Sequence, residues 1–411
     1  MMKRIYLDYA ATTPLDAAVL KKMLPYFSHE FANPASVHSL GQTALKAVDD
    51  ARYSIAEILG AKGNEIVFTS GATESNNLAL KGLAQSLRAK GDKRKEILIS
   101  AIEHDSVREP LNALKSQGFK VVYLPVDSNG LVSVKLLQKY LNEQTLLVSI
   151  GFVNSEVGTV QEISKLGRVI RKYNEQRYQS WLNSSSRTRG AKPGIVYFHC
   201  DATQAPNLFD CNVRNLNLDL MSLSAHKIYG PKGTGLLYIK RDTPVEALLH
   251  GGHQERNLRS GTLNVPGIIG FVNALILTVK NRKSLLKNLS SLNKQFRRDL
   301  KKAIPQVRFA VSFEIASPAH LNVLFAGISG DAFQSALDER GIAVSTGSAC
   351  ASGDITVSHV LQALSYSETE AKSALRFSFG RLTTKTELKT TVRLVSKAYY
   401  DTLKAYESRI F

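Results

Sequence analysis

The chain has 411 residues and carries 53 Lys and Arg against 35 Asp and Glu, a formal net charge of +18. That length predicts two domains, or one large α/β body with a smaller appendage, and the absence of any uninterrupted apolar run of about 18 residues excludes a helical membrane span. Cys200, Cys211 and Cys350 are the only cysteines and have no CxxC spacing, which excludes a disulfide framework or a thiolate zinc site.

Met1-Met2-Lys3-Arg4 runs directly into Ile5–Tyr9 without the apolar core of a signal peptide, so a cytoplasmic location is expected, with no membrane contact. From Ser36 to Gly60 the apolar residues keep a helical period, with Ser36 as the candidate cap. An alternation follows: strands over 65–69, 96–100, 120–126 and 145–153, with helices over 73–90, 105–117, 134–142 and 163–173 between them. Further apolar strands at 195–200, 219–223 and 235–240 bring the total to about seven, the pattern of a large α/β domain with a mainly parallel sheet. Asn174–Gly194 is polar and basic, holds the single tryptophan, Trp181, and reads as an inserted surface loop. Beyond Gly270 come a basic helix over 284–303, short strands over 307–312 and 321–324, a helix after Gly330 and a closing helix over 387–408. These predict a smaller α+β domain, formed by residues 1–15 and 271–411 and carrying Cys350, beside a large domain of 16–270. Lysines and arginines are spread along the chain without arginine-rich arms, so the charge reads as a solvated basic surface and no direct nucleic-acid partner is expected.

Three segments carry chemistry. Glu65–Asn77 is a strand entering Ser70-Gly71-Ala72-Thr73 and then a helix, whose free N–H groups suit a phosphate. In Ser222–Gly233, Lys227 follows an apolar strand and precedes a glycine-rich turn, a place where its amine can be desolvated and a planar aldehyde admitted, as a Schiff-base lysine needs. In His199–Gln204, Asp201 comes straight after a strand expected at the centre of the sheet, and a buried carboxylate there calls for a cationic partner such as a protonated pyridine nitrogen. No metal site is expected.

These segments resemble the pyridoxal-phosphate-binding elements of the class V aminotransferase superfamily. More narrowly, the chain resembles the cysteine desulfurases of the NifS/IscS type, through Tyr6–Pro14, Asn33–His38, Gly71–Asn77, Glu103-His104, Val153–Gly158, His199–Gln204, Ser224–Gly233, Arg259–Thr262, Ser345–Gly353 and Arg376–Arg381. The resemblance implies a pyridoxal 5′-phosphate enzyme of fold-type I and a homodimer with sites at the subunit interface. Lys227 then holds the cofactor covalently and moves protons, His104 stacks on the pyridine ring and serves as acid or base, and Asp201 pairs the ring nitrogen. Gln204 reaches the phenolic oxygen; Ala72, Thr73, Ser224 and His226 bind the phosphate, with Thr262 reaching over from the second subunit. Arg376 grips the substrate carboxylate with help from Asn154.

The desulfurase assignment rests mainly on Ser345–Gly353, where small and polar residues around Cys350 describe an exposed loop that carries a thiol between a buried cofactor and an outside acceptor. The implied reaction converts L-cysteine to L-alanine and leaves a persulfide on Cys350. The sulfur goes on to an acceptor protein, either a scaffold of iron–sulfur cluster assembly or an enzyme of tRNA or cofactor thiolation. A selenocysteine lyase or a cysteine β-lyase would share the scaffold. Cys200 and Cys211 read as buried apolar residues. Three places depart from the family pattern: His253 stands where a third glycine is common, the 174–194 segment is longer, and the end TLKAYESRIF differs from the tail by which housekeeping members dock a scaffold.

Overall fold

The computed structural model describes residues 4–184, 192–347 and 357–407. Among them twelve strands form: β1 (Ile5–Tyr6), β2 (Ile66–Thr69), β3 (Glu96–Ser100), β4 (Lys120–Leu124), β5 (Thr145–Ser149), β6 (Tyr197–Asp201), β7 (Leu220–Ser224), β8 (Gly235–Ile239), β9 (Arg308–Phe309), β10 (His320–Leu324), β11 (Ile342–Ala343) and β12 (Ala374–Ser378). Strands β2 to β8 make one sheet in the order β2-β8-β7-β6-β5-β3-β4. β8 alone runs against its neighbours, and the remaining pairs are parallel. Strands β3, β5 and β7 are buried at every position. A strand covered on both faces has no solvent side to encode, which is why these segments lack a period of two.

The same direction shared by six strands puts the last residues of β2, β3, β5, β6 and β7 along one edge of the sheet. In open α/β sheets that carboxyl edge is where ligands bind, because the connections leaving it diverge and open a crevice. A second, three-stranded antiparallel sheet, β12-β10-β9, is built from the carboxyl-terminal third. β1 pairs in parallel with β11, so the amino terminus folds back onto this part of the chain.

The helix Ser39–Leu59 buries Ala44, Val48, Ala51, Ile55 and Leu59 and stops at Gly60, whose φ of 67° is the left-handed conformation of a helix end. Its cap is His38, whose Nδ1 accepts the Gly41 N–H, rather than Ser36. Two other expectations change. The helix expected over 163–173 continues to Asn183, so the first half of the 174–194 segment is helix and not loop; Trp181 is half-buried there and stacks on Tyr178 with ring centroids 5.8 Å apart. Residues 185–191 of that segment lie outside the described residues.

The basic helix expected from Ser284 begins at Val265 and runs unbroken to Ala303, 39 residues, or about 58 Å. Its first half packs into the core under the large sheet through Ile268, Phe271 and Leu275, and its second half into the carboxyl-terminal core through Leu289, Phe296 and Leu300. The boundary expected near Gly270 therefore falls inside one continuous helix. Among the described residues no helix is long and apolar enough to cross a membrane.

Candidate active site

A cavity of about 550 Å³ opens at the carboxyl edge of the large sheet, walled by Thr73, His104, Asn154, Asp201, Gln204, Ser224, His226, Lys227 and Arg376 among others. The connections after β2, β3, β5, β6 and β7 all feed it, and Arg376 arrives from β12 of the smaller sheet. Residues as far apart in sequence as Ala10 and Arg376 thus line one space, most of them because the strands that carry them end at the same edge.

At the floor, both oxygens of Asp201 are engaged. Oδ1 accepts from the Thr203 backbone N–H at 3.0 Å and from the Thr203 hydroxyl, and Oδ2 accepts from Asn76 Nδ2 at 2.8 Å. A carboxylate has about four lone-pair positions, so three donors leave room for one more, which suits the single N–H of a protonated pyridine. On the neighbouring strand, β7, a 3-10 turn over Ala225–Lys227 turns Lys227 into the cavity. Its ammonium donates to the carbonyls of Ala10 and Ala11 at 2.6 and 2.8 Å. Gln204 Nε2 donates to the same Ala10 carbonyl at 2.9 Å, so the Tyr6–Pro14 segment positions two of the expected cofactor contacts at once.

The phosphate end is equally legible. The helix that begins at Ala72 has Gly71 as its cap with no side chain on the free amides. Gly71 packs so closely on β8 that a Cβ on Gly235 would lie 2.6 Å from its Cα, and a Cβ on Gly71 itself would lie 3.9 Å from Ser224 Oγ. His226 Nδ1 is 3.1 Å from Thr12 Oγ1, and burial, with Lys227 and Lys232 beside it, lowers its pKa to about 4. It therefore faces the cavity as a neutral ring that donates one hydrogen bond. Glu74 closes this end: burial opposes its charge, but hydrogen bonds from Arg259 at 2.9 Å and from the Ser70 N–H hold its pKa below the usual value. The segment that holds Thr262 is thereby tied to the phosphate loop of its own chain, while Thr262 is exposed and not among the residues lining the cavity.

At the opposite wall the Arg376 guanidinium, 6% exposed, donates to Asp8 Oδ1 at 2.7 Å and to the Ser155 carbonyl at 3.1 Å, and its Nε has no partner. An unused buried donor of a guanidinium beside an open cavity matches a ligand carboxylate. Asn154 braces the wall: its Oδ1 accepts the Glu156 and Val157 N–H groups and its Nδ2 donates to the Ile102 carbonyl. Cys350 lies outside the described residues, but the two ends that flank its segment converge on Glu156. Ser358 donates to Glu156 Oε1 at 2.7 Å, and a Cβ on Gly347 would lie 2.0 Å from the same oxygen. Cys200 and Cys211 are buried, and burial raises both thiols far above the usual range, Cys211 to about 12.

Three groups at the site were given no role by the sequence. Asn76, fully buried, joins Asp201 to Ser106. Glu103, buried beside Asp201, accepts the Gly151 N–H at 2.8 Å and the Ser100 hydroxyl at 2.7 Å, and burial raises its pKa to about 7. Asp8 holds Arg376. All three stand in segments with signal, Gly71–Asn77, Glu103-His104 and Tyr6–Pro14, but a polar residue does not announce a partner that only tertiary folding brings near.

The aminotransferase class-V family model matches residues 5–176 and 188–390. A cysteine desulfurase IscS from Dictyoglomus turgidum is 40% identical over 397 residues, 97% of this chain and 95% of its own. Among solved structures, a NifS-like protein superposes with a TM-score of 0.86 at 34% identity, covering 96% of this chain and 98% of that one. SspA in complex with cysteine superposes at 0.75 with 36% identity, over 91% and 98%. Matches of this extent, on a sheet whose carboxyl edge gathers the segments expected of a pyridoxal-phosphate site, show that the chain belongs to the class-V aminotransferase family, among the IscS and NifS-like cysteine desulfurases.

Proposed function

We propose that this protein is a cysteine desulfurase that binds pyridoxal 5′-phosphate in the cavity and passes the sulfur of L-cysteine to Cys350 as a persulfide, releasing L-alanine. The observation that carries the reading is the set of unspent contacts around one space, a fourth lone pair on Asp201, uncapped amides at Gly71–Thr73 and an unpartnered Arg376 Nε, with the Lys227 ammonium held at the same space by the Ala10 and Ala11 carbonyls. Asp201 would hold the ring nitrogen, Gln204 the phenolic oxygen, Ala72, Thr73, Ser224 and His226 the phosphate, and His104 the ring face. Bound there, the cofactor supplies an electron sink for charge developing at the substrate Cα.

The chain's own residues do the rest. Arg376 binds the carboxylate of cysteine and, with Asn154 shaping the wall, orients the Cα–H bond toward Lys227. The Lys227 amine takes that proton. The Cys350 thiolate then forms a bond to the substrate sulfur while the bond from sulfur to the β carbon breaks; the electron pair stays on that carbon, which takes up a proton, and the Lys227 ammonium returns its proton to Cα so that alanine leaves. No outside oxidant or reductant enters this balance. The exposed Thr262 fits a homodimer in which it completes the phosphate site of a second copy, in a cytoplasmic enzyme whose small domain, 1–15 and 271–411, carries Cys350 beside the large domain of 16–270. An acceptor protein takes the persulfide sulfur.

The test uses purified enzyme, cysteine, and assays of alanine and of protein persulfide. Wild type forms both products, and Cys350→Ala keeps the bound cofactor but loses alanine release by about a hundredfold or more, the scale expected when a covalent nucleophile is removed. Wild-type turnover in Cys350→Ala would replace this reading with a β-lyase, and equal or faster turnover of selenocysteine by that variant would point to a selenocysteine lyase.

A further inference from the structure

The Asp201 carboxylate and the His104 ring belong to one hydrogen-bonded chain that runs through two side chains without an assigned role. Asn76 is fully buried, and its amide nitrogen has two protons. One goes to Asp201 Oδ2 at 2.8 Å and the other to Ser106 Oγ at 2.9 Å. Because Ser106 Oγ accepts from Asn76, its own proton is free to point at its next neighbour, His104 Nδ1, at 2.9 Å. The Ser106 backbone N–H reaches the same ring nitrogen at 3.0 Å, the capping contact of the helix Asp105–Lys115. The two donors on this one ring nitrogen together favour the tautomer that presents a lone pair there, and the hydroxyl is the one that Asn76 directs.

We propose that Asn76 and Ser106 are positioning residues that fix His104 in the tautomer with its proton on Nε2 and hold Asp201 in the orientation that the ring nitrogen of the cofactor requires. The orientation of the Asn76 amide follows from its partners: turning it over would set Oδ1 against the Asp201 carboxylate, two acceptors facing each other in a buried place. With Nδ2 toward Asp201, Oδ1 is left with no partner. A buried acceptor left unpaired costs free energy, and the arrangement keeps that cost in order to give both amide protons to Asp201 and Ser106. The consequence for chemistry is directional. His104 offers an N–H from Nε2, so toward a bound group it is a donor, and a change of tautomer requires the Ser106–Asn76–Asp201 chain to rearrange.

The inference rests on the desulfurase reading for its kinetic arm but not for its spectroscopic one. In full-length, cofactor-free protein with ¹⁵N-labelled histidine, the His104 resonances, assigned with His104→Gln, are expected to report a single Nε2–H tautomer. In Asn76→Ala the Ser106 hydroxyl loses its donor and the resonances shift toward a tautomer mixture. In the loaded enzyme the same variant lowers kcat for cysteine about tenfold with KM within about twofold, the scale of one lost hydrogen bond to a charged group. Ser106→Ala gives a loss of the same size and Ser106→Thr restores the wild-type rate. The double variant Asn76→Ala/Ser106→Ala loses no more than either single one, since both break one chain. Ser106→Ala and Ser106→Thr carry the test if Asn76→Ala fails to fold. An unshifted His104 spectrum with kcat within twofold of wild type, or additive losses in the double variant, overturns the proposal. Absence of alanine production by wild type overturns the desulfurase reading alone, and the tautomer measurement still decides this one.

Discussion

Replacing Glu103 by Gln should remove a specific pH dependence of folding stability. Glu103 is 3% exposed, sits against Asp201, and keeps only two donors, the Gly151 N–H and the Ser100 hydroxyl, so burial dominates and lifts its pKa from 4.5 to about 7. The folded state therefore holds the proton more tightly than the unfolded chain. By linkage, the contribution of Glu103 to stability is most favourable below about pH 4.5, falls as pH rises, and levels off above about pH 7. At about 1.4 kcal/mol per pH unit between the two values, the full fall is roughly 3 kcal/mol. Glutamine keeps the acceptor oxygen and never ionises. His199 and His226, each lowered to about 4 mainly by burial, act in the opposite sense, with stability lost as pH drops from about 6.5 toward 4. They are present in both proteins and cancel in the difference. Urea unfolding of cofactor-free wild type and Glu103→Gln at pH 5, 6, 7 and 8 is expected to give near-equal stability at pH 5 and a growing advantage for the variant, reaching roughly 2 to 3 kcal/mol at pH 8. A difference that stays constant from pH 5 to pH 8 refutes the assignment of a neutral, buried Glu103.

Two further outcomes follow from the substrate wall. Arg376→Lys keeps a charge near Asp8 but loses the fork that also reaches the Ser155 carbonyl, so steady-state kinetics should show KM for cysteine raised about tenfold to a hundredfold, the cost of lost hydrogen bonds to a charged group; an unchanged KM removes Arg376 from carboxylate binding. Gly347→Ala would put a Cβ 2.0 Å from Glu156 Oε1, and Glu156 is buried and cannot yield freely, so persulfide formation on Cys350 should slow while visible absorbance reports normal cofactor binding. Equal persulfide rates in the two proteins would show that Glu156 does not set the position of that segment.

What the sequence discloses here depends on whether a signal is local. Asp201 and Lys227 are legible because one ends a buried strand and the other comes a single turn after the next, and a charged residue at such a place demands an explanation in its own neighbourhood. Asn76 and Glu103 sit in the same recognisable segments, yet their roles depend on the meeting of residues 125 positions apart in one case and 48 in the other, and no spacing encodes that. Helix limits fail for two opposite physical reasons. Residues 174–183 lack an apolar stripe because that end of the helix is mostly exposed, where good helix formers such as Glu175, Gln176 and Arg177 extend a helix already nucleated by Ile163, Leu166 and Ile170. Val265–Leu275 lacks one because it is buried on nearly every side.

The departure at His253 has a similar resolution. Its φ is −84°, so the backbone there does not require glycine, and its exposed ring is 2.6 Å from Asn257. The left-handed positions are instead Glu255, Arg256 and Asn257, at φ of 48°, 57° and 65°. Three non-glycine residues in succession in that region are strained. What holds them is the buried Glu255 carboxylate, which pairs with Arg52 at 2.5 Å and accepts the Phe68 N–H at 2.7 Å. Phe68 lies in β2, two residues before the phosphate loop, so the turn that carries Arg259 and Thr262 is anchored to the strand that builds the site. A substitution at 253 leaves that anchor untouched, because the Glu255 carboxylate and its partners Arg52 and Phe68 do not involve the His253 side chain.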